Sequence, residues 1–200
     1  MIKRLAFYDM DGTLMDTPHP EDGKVQWEKV NGEKYPYEGW WGKAESLDLD
    51  VFDIKPFPSV LSQLKDDTAR PDTYTVLLTS RVQKLLPQIQ KILQKHGIKF
   101  NDLSLKNGSA DKGDRIKNYI NKFPDVKEIS VFDDRKKELD ILRSLKSEIG
   151  DDVTVNIYQA DNGKLSLTES FNKITSIIFG AIVEFDKKTK DNRIYSKTRL

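Results

Sequence analysis

Cysteine is absent from all 200 residues, which excludes disulfide frameworks, thiol nucleophiles and thiolate-held metals, and fits a reducing compartment. Histidine is scarce, with His19 and His96 the two copies, so a zinc or copper centre built on imidazoles has too few ligands. No charge of one sign dominates: 33 Lys and Arg stand against 32 Asp and Glu, a formal +1, and the overall field draws the chain neither to nucleic acid nor to membranes. No apolar run reaches membrane-spanning length, and Met1-Ile2-Lys3-Arg4 passes directly into a strand-like run with no room for a cleavable signal. The expectation is a cytoplasmic chain with no membrane partner. Internal repeats and low-complexity tracts are also lacking.

What the chain does have is paired carboxylates at the ends of apolar runs. In Arg4-Leu5-Ala6-Phe7-Tyr8-Asp9-Met10-Asp11-Gly12-Thr13-Leu14, a short buried-strand pattern ends in two aspartates one residue apart, and Gly12 marks an abrupt exit into a turn. Taken alone, Asp-x-Asp-Gly also reads as an ordinary turn. Three further segments change the balance: Val76-Leu77-Leu78-Thr79-Ser80-Arg81, an apolar run ending in hydroxyls; Asp111-Lys112-Gly113-Asp114, a lysine where a helix starts; and Ile129-Ser130-Val131-Phe132-Asp133-Asp134-Arg135, an apolar run ending in two acids. All four are expected at the carboxyl edge of one sheet, where open α/β sheets bind ligands.

Electrostatics says what such a collection can do. Two carboxylates about 4 Å apart repel by roughly 4 kcal/mol at an effective dielectric near 20, so Asp9, Asp11, Asp133 and Asp134 converge only around a cation. All-oxygen ligands favour Mg²⁺. A magnesium ion beside a hydroxyl and a lysine suits an anion, and phosphate fits best, because phosphoryl transfer needs its equatorial charge neutralised and its oxygens held in line.

Asp9-Met10-Asp11-Gly12-Thr13-Leu14, Thr79, Lys112 and Asp133-Asp134, in that order, resemble the four-motif signature of the haloacid dehalogenase (HAD) superfamily over residues 3 to about 158. Thr17-Pro18-His19-Pro20, Trp27 and Gly39-Trp40-Trp41 further resemble its Swiss Army Knife RNA repair-like branch. The resemblance implies that Asp9 attacks phosphorus and Asp11 serves as general acid and base. It also implies that Mg²⁺ is held by the Asp9 carboxylate, the Asp11 carbonyl and Asp133, with Asp134 a direct or water-mediated ligand. Thr79, Ser80, Gly12, Thr13 and Lys112 are the implied substrate contacts, Lys112 also orienting Asp9. Lys106 is the alternative site lysine; Lys112 is preferred because Lys-Gly precedes Ile116, Tyr119 and Ile120 at helical spacing.

The implied activity is Mg²⁺-dependent phosphomonoester hydrolysis through an aspartyl phosphate, on nucleotides or nucleic-acid ends. The alternatives are a small-metabolite phosphatase or phosphotransferase, and a catalytically silent binding module. A phospho-receiver domain also clusters aspartates with a hydroxyl and a lysine, but in another order.

Alternating strand and helix patterns predict a Rossmann-like, mostly parallel sheet flanked by helices. Strands are expected near 3–9, 74–79, 100–105, 128–133 and 153–158, and helices over Pro58–Lys65, Val82–His96, Asp114–Lys122 and Arg135–Ile149. The interval 16–53 breaks this rhythm and reads as a small cap inserted in a core domain spanning 1–185; residues 186–200 read as a basic, solvated tail. The aromatics of the insertion, Trp27, Tyr35, Tyr37, Trp40 and Trp41, read either as packing or as a platform on which a base stacks. Trp40 or Trp41 is expected to border the substrate entrance. His19 reads as exposed with substrate contact the lesser alternative, and Arg81 and Arg135 as phosphate contacts or as ion pairs with local acids. Asp66-Asp67 and Asp151-Asp152 are expected in loops. Ser166-Leu167-Thr168-Glu169 has the form of a capping box, with Phe171, Ile174, Ile177, Ile178 and Ala181 at helical spacing behind it, predicting a terminal helix.

Overall fold

In the computed structural model, which describes residues 1–146, 149 and 152–171, the strand Arg4–Tyr8 (β1) is buried along its whole length. A strand buried on both faces needs apolar side chains in both alternating sets, and β1 has them. Ala6 and Tyr8 join one core with Leu77 and Phe132, while Leu5 and Phe7 join the other with Val76, Leu78, Ile129 and Val131. β1 pairs in parallel with Thr73–Val82 (β4) on one side and Glu128–Asp133 (β6) on the other. Asp102–Lys106 (β5) extends the sheet beyond β4, and Thr154–Asp161 (β7) beyond β6.

Helices cover both faces. Pro58–Ala69 (α2) and Leu86–Lys95 (α3) send Val60, Leu64, Ile89, Ile92 and Leu93 into the first core. Lys112–Lys122 (α4) and Lys136–Lys146 (α5) send Ile116 and Leu139 into the second. The sheet order β5-β4-β1-β6-β7-β8, in which β8 is Lys164–Phe171, reverses direction beside β1, and such a switch point opens a crevice at the carboxyl ends of the strands. The expected α/β architecture is therefore the one observed, a mostly parallel sheet of six strands.

Between Met15–Asp16 (β2) and Lys55–Pro56 (β3), which pair as a small antiparallel ribbon, the chain makes an excursion. It contains the helix Pro20–Asn31 (α1) and a 3-10 turn at Ala44–Leu47. Its aromatics pack on one another: Tyr35 lies edge-on to Trp27 and against Trp40, which meets Phe52. Trp40 is buried and donates its indole N–H to the Pro18 carbonyl at 2.9 Å. A Cβ on Gly23 would stand 2.3 Å from the Trp40 ring, so α1 approaches that ring only through a glycine.

Three sequence expectations are corrected. Ser166 to Glu169 do not cap a helix: they lie in the strand Lys164–Phe171 (β8), which returns antiparallel along β7. Asn162 and Gly163 both take positive φ, 46° and 77°, and this reverses the chain before any helix begins. The hydroxyl of Thr168 donates to the Ile157 carbonyl at 2.9 Å, across the sheet and away from any helix terminus. Residues 172–200, with the rest of the proposed helix and the basic tail, lie outside the described residues.

Secondly, Asp66 and Asp67 are in α2, not in a loop. Asp67 is buried, paired with Arg4, and accepts the Tyr8 hydroxyl at 2.5 Å. Burial, then the Asp67 charge, raises the Tyr8 phenol above its usual range. Thirdly, β4 continues to Val82, past the expected end, with a register irregularity between Leu78 and Val82, and a 3-10 turn at Gln83–Leu85 precedes α3. Thr79, Ser80 and Arg81 are thus held on the extended end of a strand.

Candidate active site

The turn after β1 is closed by its own backbone, with Gly12 N–H donating to Met15 and Met15 N–H to Met10. Asp9 N–H donates to the Phe132 carbonyl at 2.9 Å, so the first acid remains tied to the sheet beside β6. Gly12 has φ of 70°, and a Cβ there would come within 2.9 Å of an Asp134 carboxylate oxygen. The glycine thus supplies a left-handed turn and lets the loops after β1 and β6 meet.

Lys112 is the first residue of α4, whose start is set by Asp111 accepting the Asp114 N–H. Its Nζ donates to Asp9 Oδ1 at 2.7 Å and to Asp133 Oδ2 at 2.5 Å. All three side chains are almost completely shielded from solvent. Burial, which favours the protonated form, raises Asp9 to about 7, with Asp133 and Asp11 adding to the rise and Lys112 opposing it. For Lys112 burial works against the charge, but Asp9 and Asp133 outweigh it and hold the ammonium above its usual range. Asp134 is also raised, first by burial and then by Asp133.

Carboxylate oxygens of Asp9, Asp133 and Asp134 lie within 4.8 Å of one another. Asp134 Oδ1 is buried without a hydrogen-bond partner, and a group so placed awaits a donor or a cation. The three acids could hold a metal ion, and their all-oxygen chemistry suits a hard divalent one.

Asp11 belongs to a different set of contacts. Its carboxylate does not join the other three; it accepts the Thr17 hydroxyl at 2.8 Å and a fork from Arg81, Nε at 2.9 Å and Nη2 at 2.8 Å. Arg81 is therefore an ion-pair partner of a local acid, one of its two expected readings. Thr79 is fully buried, and its hydroxyl oxygen accepts the Arg81 N–H at 3.0 Å, which leaves its own proton free to be donated. The Ser80 hydroxyl accepts from Arg135 Nη2 at 3.0 Å, and the Arg135 N–H donates to Asp133 Oδ1 at 3.0 Å. Thr13 is buried with its hydroxyl unpartnered, away from the cleft. Lys106, the alternative lysine, lies exposed at the end of β5.

A cleft of about 340 Å³ opens at this edge of the sheet, with Asp9, Asp11, Gly12, Ser80 and Asp134 in its floor and walls. His19, Trp41 and Arg135 also line it. Trp41 is 40% exposed, edge-on to His19 and above the Arg81 guanidinium at 4.9 Å. Of the two adjacent tryptophans, Trp41 borders the opening and Trp40 is core. Sequence reading missed Thr17 and the depth of Arg81 in the site; the position of Arg81 two residues beyond Thr79 on one strand was the available signal.

A family model described as HAD domain family 1 in Swiss Army Knife RNA repair proteins matches residues 28–178. The matched span contains Thr79, Lys112, Asp133 and Asp134, and begins after the Asp9 turn. An uncharacterized protein of Saccharomyces cerevisiae is 24% identical over 169 residues, covering 72% of this chain and 37% of its own length. The HAD domain of effector protein Lem4 from Legionella pneumophila superposes with a TM-score of 0.54 at 14% identity, over 82% of this chain and 88% of that one. A chain in the structure of a Pnkp1/Rnl/Hen1 complex superposes with a TM-score of 0.50 at 16% identity, over 82% of this chain and 47% of that one. This chain thus spans less than half the length of the yeast relative and of the chain from that complex. No helix among the described residues is long and apolar enough to cross a membrane.

Proposed function

We propose, for a chain that belongs to the HAD domain family 1 in Swiss Army Knife RNA repair proteins, that its cleft hydrolyses phosphomonoesters through an aspartyl phosphate on Asp9, with Mg²⁺ held by Asp9, Asp133, Asp134 and the Asp11 carbonyl. The observation that carries this reading is the meeting of three carboxylates from the ends of β1 and β6, Asp9 and Asp133 buried and Asp134 half-buried, with the Lys112 ammonium against the buried two.

Bound there, the ion would neutralise charge on the phosphoryl oxygens and on the acids around it. Asp9 supplies the nucleophilic oxygen: its bond to phosphorus forms as the ester P–O bond breaks, and Asp11 delivers a proton to the departing oxygen, giving an alcohol. Water then attacks phosphorus, Asp11 accepts its proton, and the bond to Asp9 breaks to release phosphate. Lys112 holds Asp9 in line and offsets its charge. Thr79 donates to a phosphoryl oxygen, and Ser80 and the turn at Gly12 border the same group.

A phosphate at a nucleotide or nucleic-acid end fits better than a small metabolite, because the cleft wall presents an exposed Trp41 ring. Stacking on such a ring stabilises by about 1–3 kcal/mol per base. The family's RNA repair setting agrees. A panel of oligonucleotide 5′ and 3′ phosphates, free nucleotides and sugar phosphates, with and without Mg²⁺, tests the assignment. Asp9→Asn is expected to lose activity by orders of magnitude on every ester that the wild type cleaves. Equal rates in wild type and variant would exclude the covalent route and favour a silent binding module.

A further inference from the structure

Arg81 does more than neutralise Asp11. Its side chain is almost fully buried at the end of β4, a place where a lone guanidinium is expensive to keep unless nearly every N–H is used. One side of the guanidinium forks onto Asp11 through Nε and Nη2. The other side, Nη1, reaches into the excursion between β2 and β3, donating to the Trp41 carbonyl at 2.8 Å and to the Ser46 hydroxyl. Ser46 can accept because its own proton goes to the Lys43 carbonyl at 2.7 Å. The Trp41 ring lies over the guanidinium. Asp11 receives a second hold from the same excursion, through the Thr17 hydroxyl.

The geometry points to Arg81 as a positioning residue through which the placement of the 17–54 excursion sets the orientation of Asp11. An arginine rather than a lysine is needed, because only a planar fork can bind both carboxylate oxygens on one edge and two acceptors on the other. When the excursion is seated, the Asp11 carboxylate is held toward the cleft; when its grip on Nη1 is lost, the fork is free to turn and proton delivery fails before phosphate binding does. This rests on the phosphoryl-transfer reading above.

The test compares kcat/KM, which reports steps up to formation of the phosphoenzyme, for two esters. Glycerol 2-phosphate expels an alkoxide that needs a proton, whereas p-nitrophenyl phosphate expels an anion that does not. Arg81→Lys is expected to lower kcat/KM for the glycerol ester about tenfold or more beyond its effect on the nitrophenyl ester, as Asp11→Asn does, with KM little changed. Ser46→Ala, which leaves the Asp11 fork intact and removes one grip from the excursion, is expected to shift the ratio the same way by a smaller factor; it carries the test if Arg81→Lys does not fold. Equal losses on the two esters in both variants, or a raised KM with kcat unaltered, would overturn the inference while leaving an Asp9-dependent hydrolase. If the wild type and Asp9→Asn cleave the nitrophenyl ester equally, the phosphoryl-transfer reading itself falls.

Discussion

Lys112 carries one positive charge between two buried carboxylates, so removing it leaves Asp9 and Asp133 facing each other without the cation that bridges them. Breaking a buried pair in this way typically costs about 3–5 kcal/mol. Lys112→Ala is therefore expected to lower the urea midpoint of the metal-free protein strongly, to recover part of the loss on addition of Mg²⁺, and to impair turnover; unimpaired turnover would reassign the site lysine. The residue types and the order of Asp9, Asp11, Thr79, Lys112 and Asp133 were legible in the sequence, because each stands at the end of an apolar run or the start of a helix. The hold of Arg81 on the Trp41 carbonyl and Ser46, and the partners of Asp67, were not legible. Both residues lie in patterns shared with ordinary surface charges, and only the packing of β4 under the excursion and of α2 against β1 buries them.

At the scale of elements, strands and helices that bury a continuous apolar face were read correctly to within a few residues. The end of the described chain was not. There a capping-box pattern competed with the Asn162-Gly163 pair, and the pair prevails because its two positive φ values fold β8 onto the ladder of β7. The hairpin tip also packs on the segment leading into α2, for a Cβ on Gly163 would stand 2.5 Å from the Phe57 ring. Gly163→Ala is accordingly expected to destabilise the tip both by left-handed strain of about 1–2 kcal/mol and by this clash. Amide hydrogen exchange should become faster in β8 and the adjoining part of β7, while β1 and β4 stay protected. Uniform acceleration across the sheet would instead mean that the hairpin is integral to the global fold.

For the whole molecule, the acid cluster ties stability to pH and, on the proposed function, to divalent ions. Burial raises Asp9 from 3.8 to about 7, so across that interval the folded state keeps a proton that the unfolded state has released. Stability from this group is full below pH 3.8 and declines as pH rises toward about 7. In metal-free protein the melting temperature of the wild type relative to Asp9→Asn should fall over that range. On the proposed function, Mg²⁺ displaces the Asp9 proton, so its stabilising shift in Tm should be larger at about pH 8 than at about pH 5.5. A shift independent of pH would place the ion elsewhere. The sequence by itself determined the α/β class, the oxygen-only chemistry and which segments meet at the sheet edge, because apolar periodicity and side-chain type are local properties of the chain. Only the tertiary structure decided which lysine enters, that Asp11 departs from the other three carboxylates, that Trp41 faces the cleft while Trp40 is buried, and that the chain turns back as β8. Those outcomes depend on which groups shield one another from water across tens of residues, and no local pattern records that.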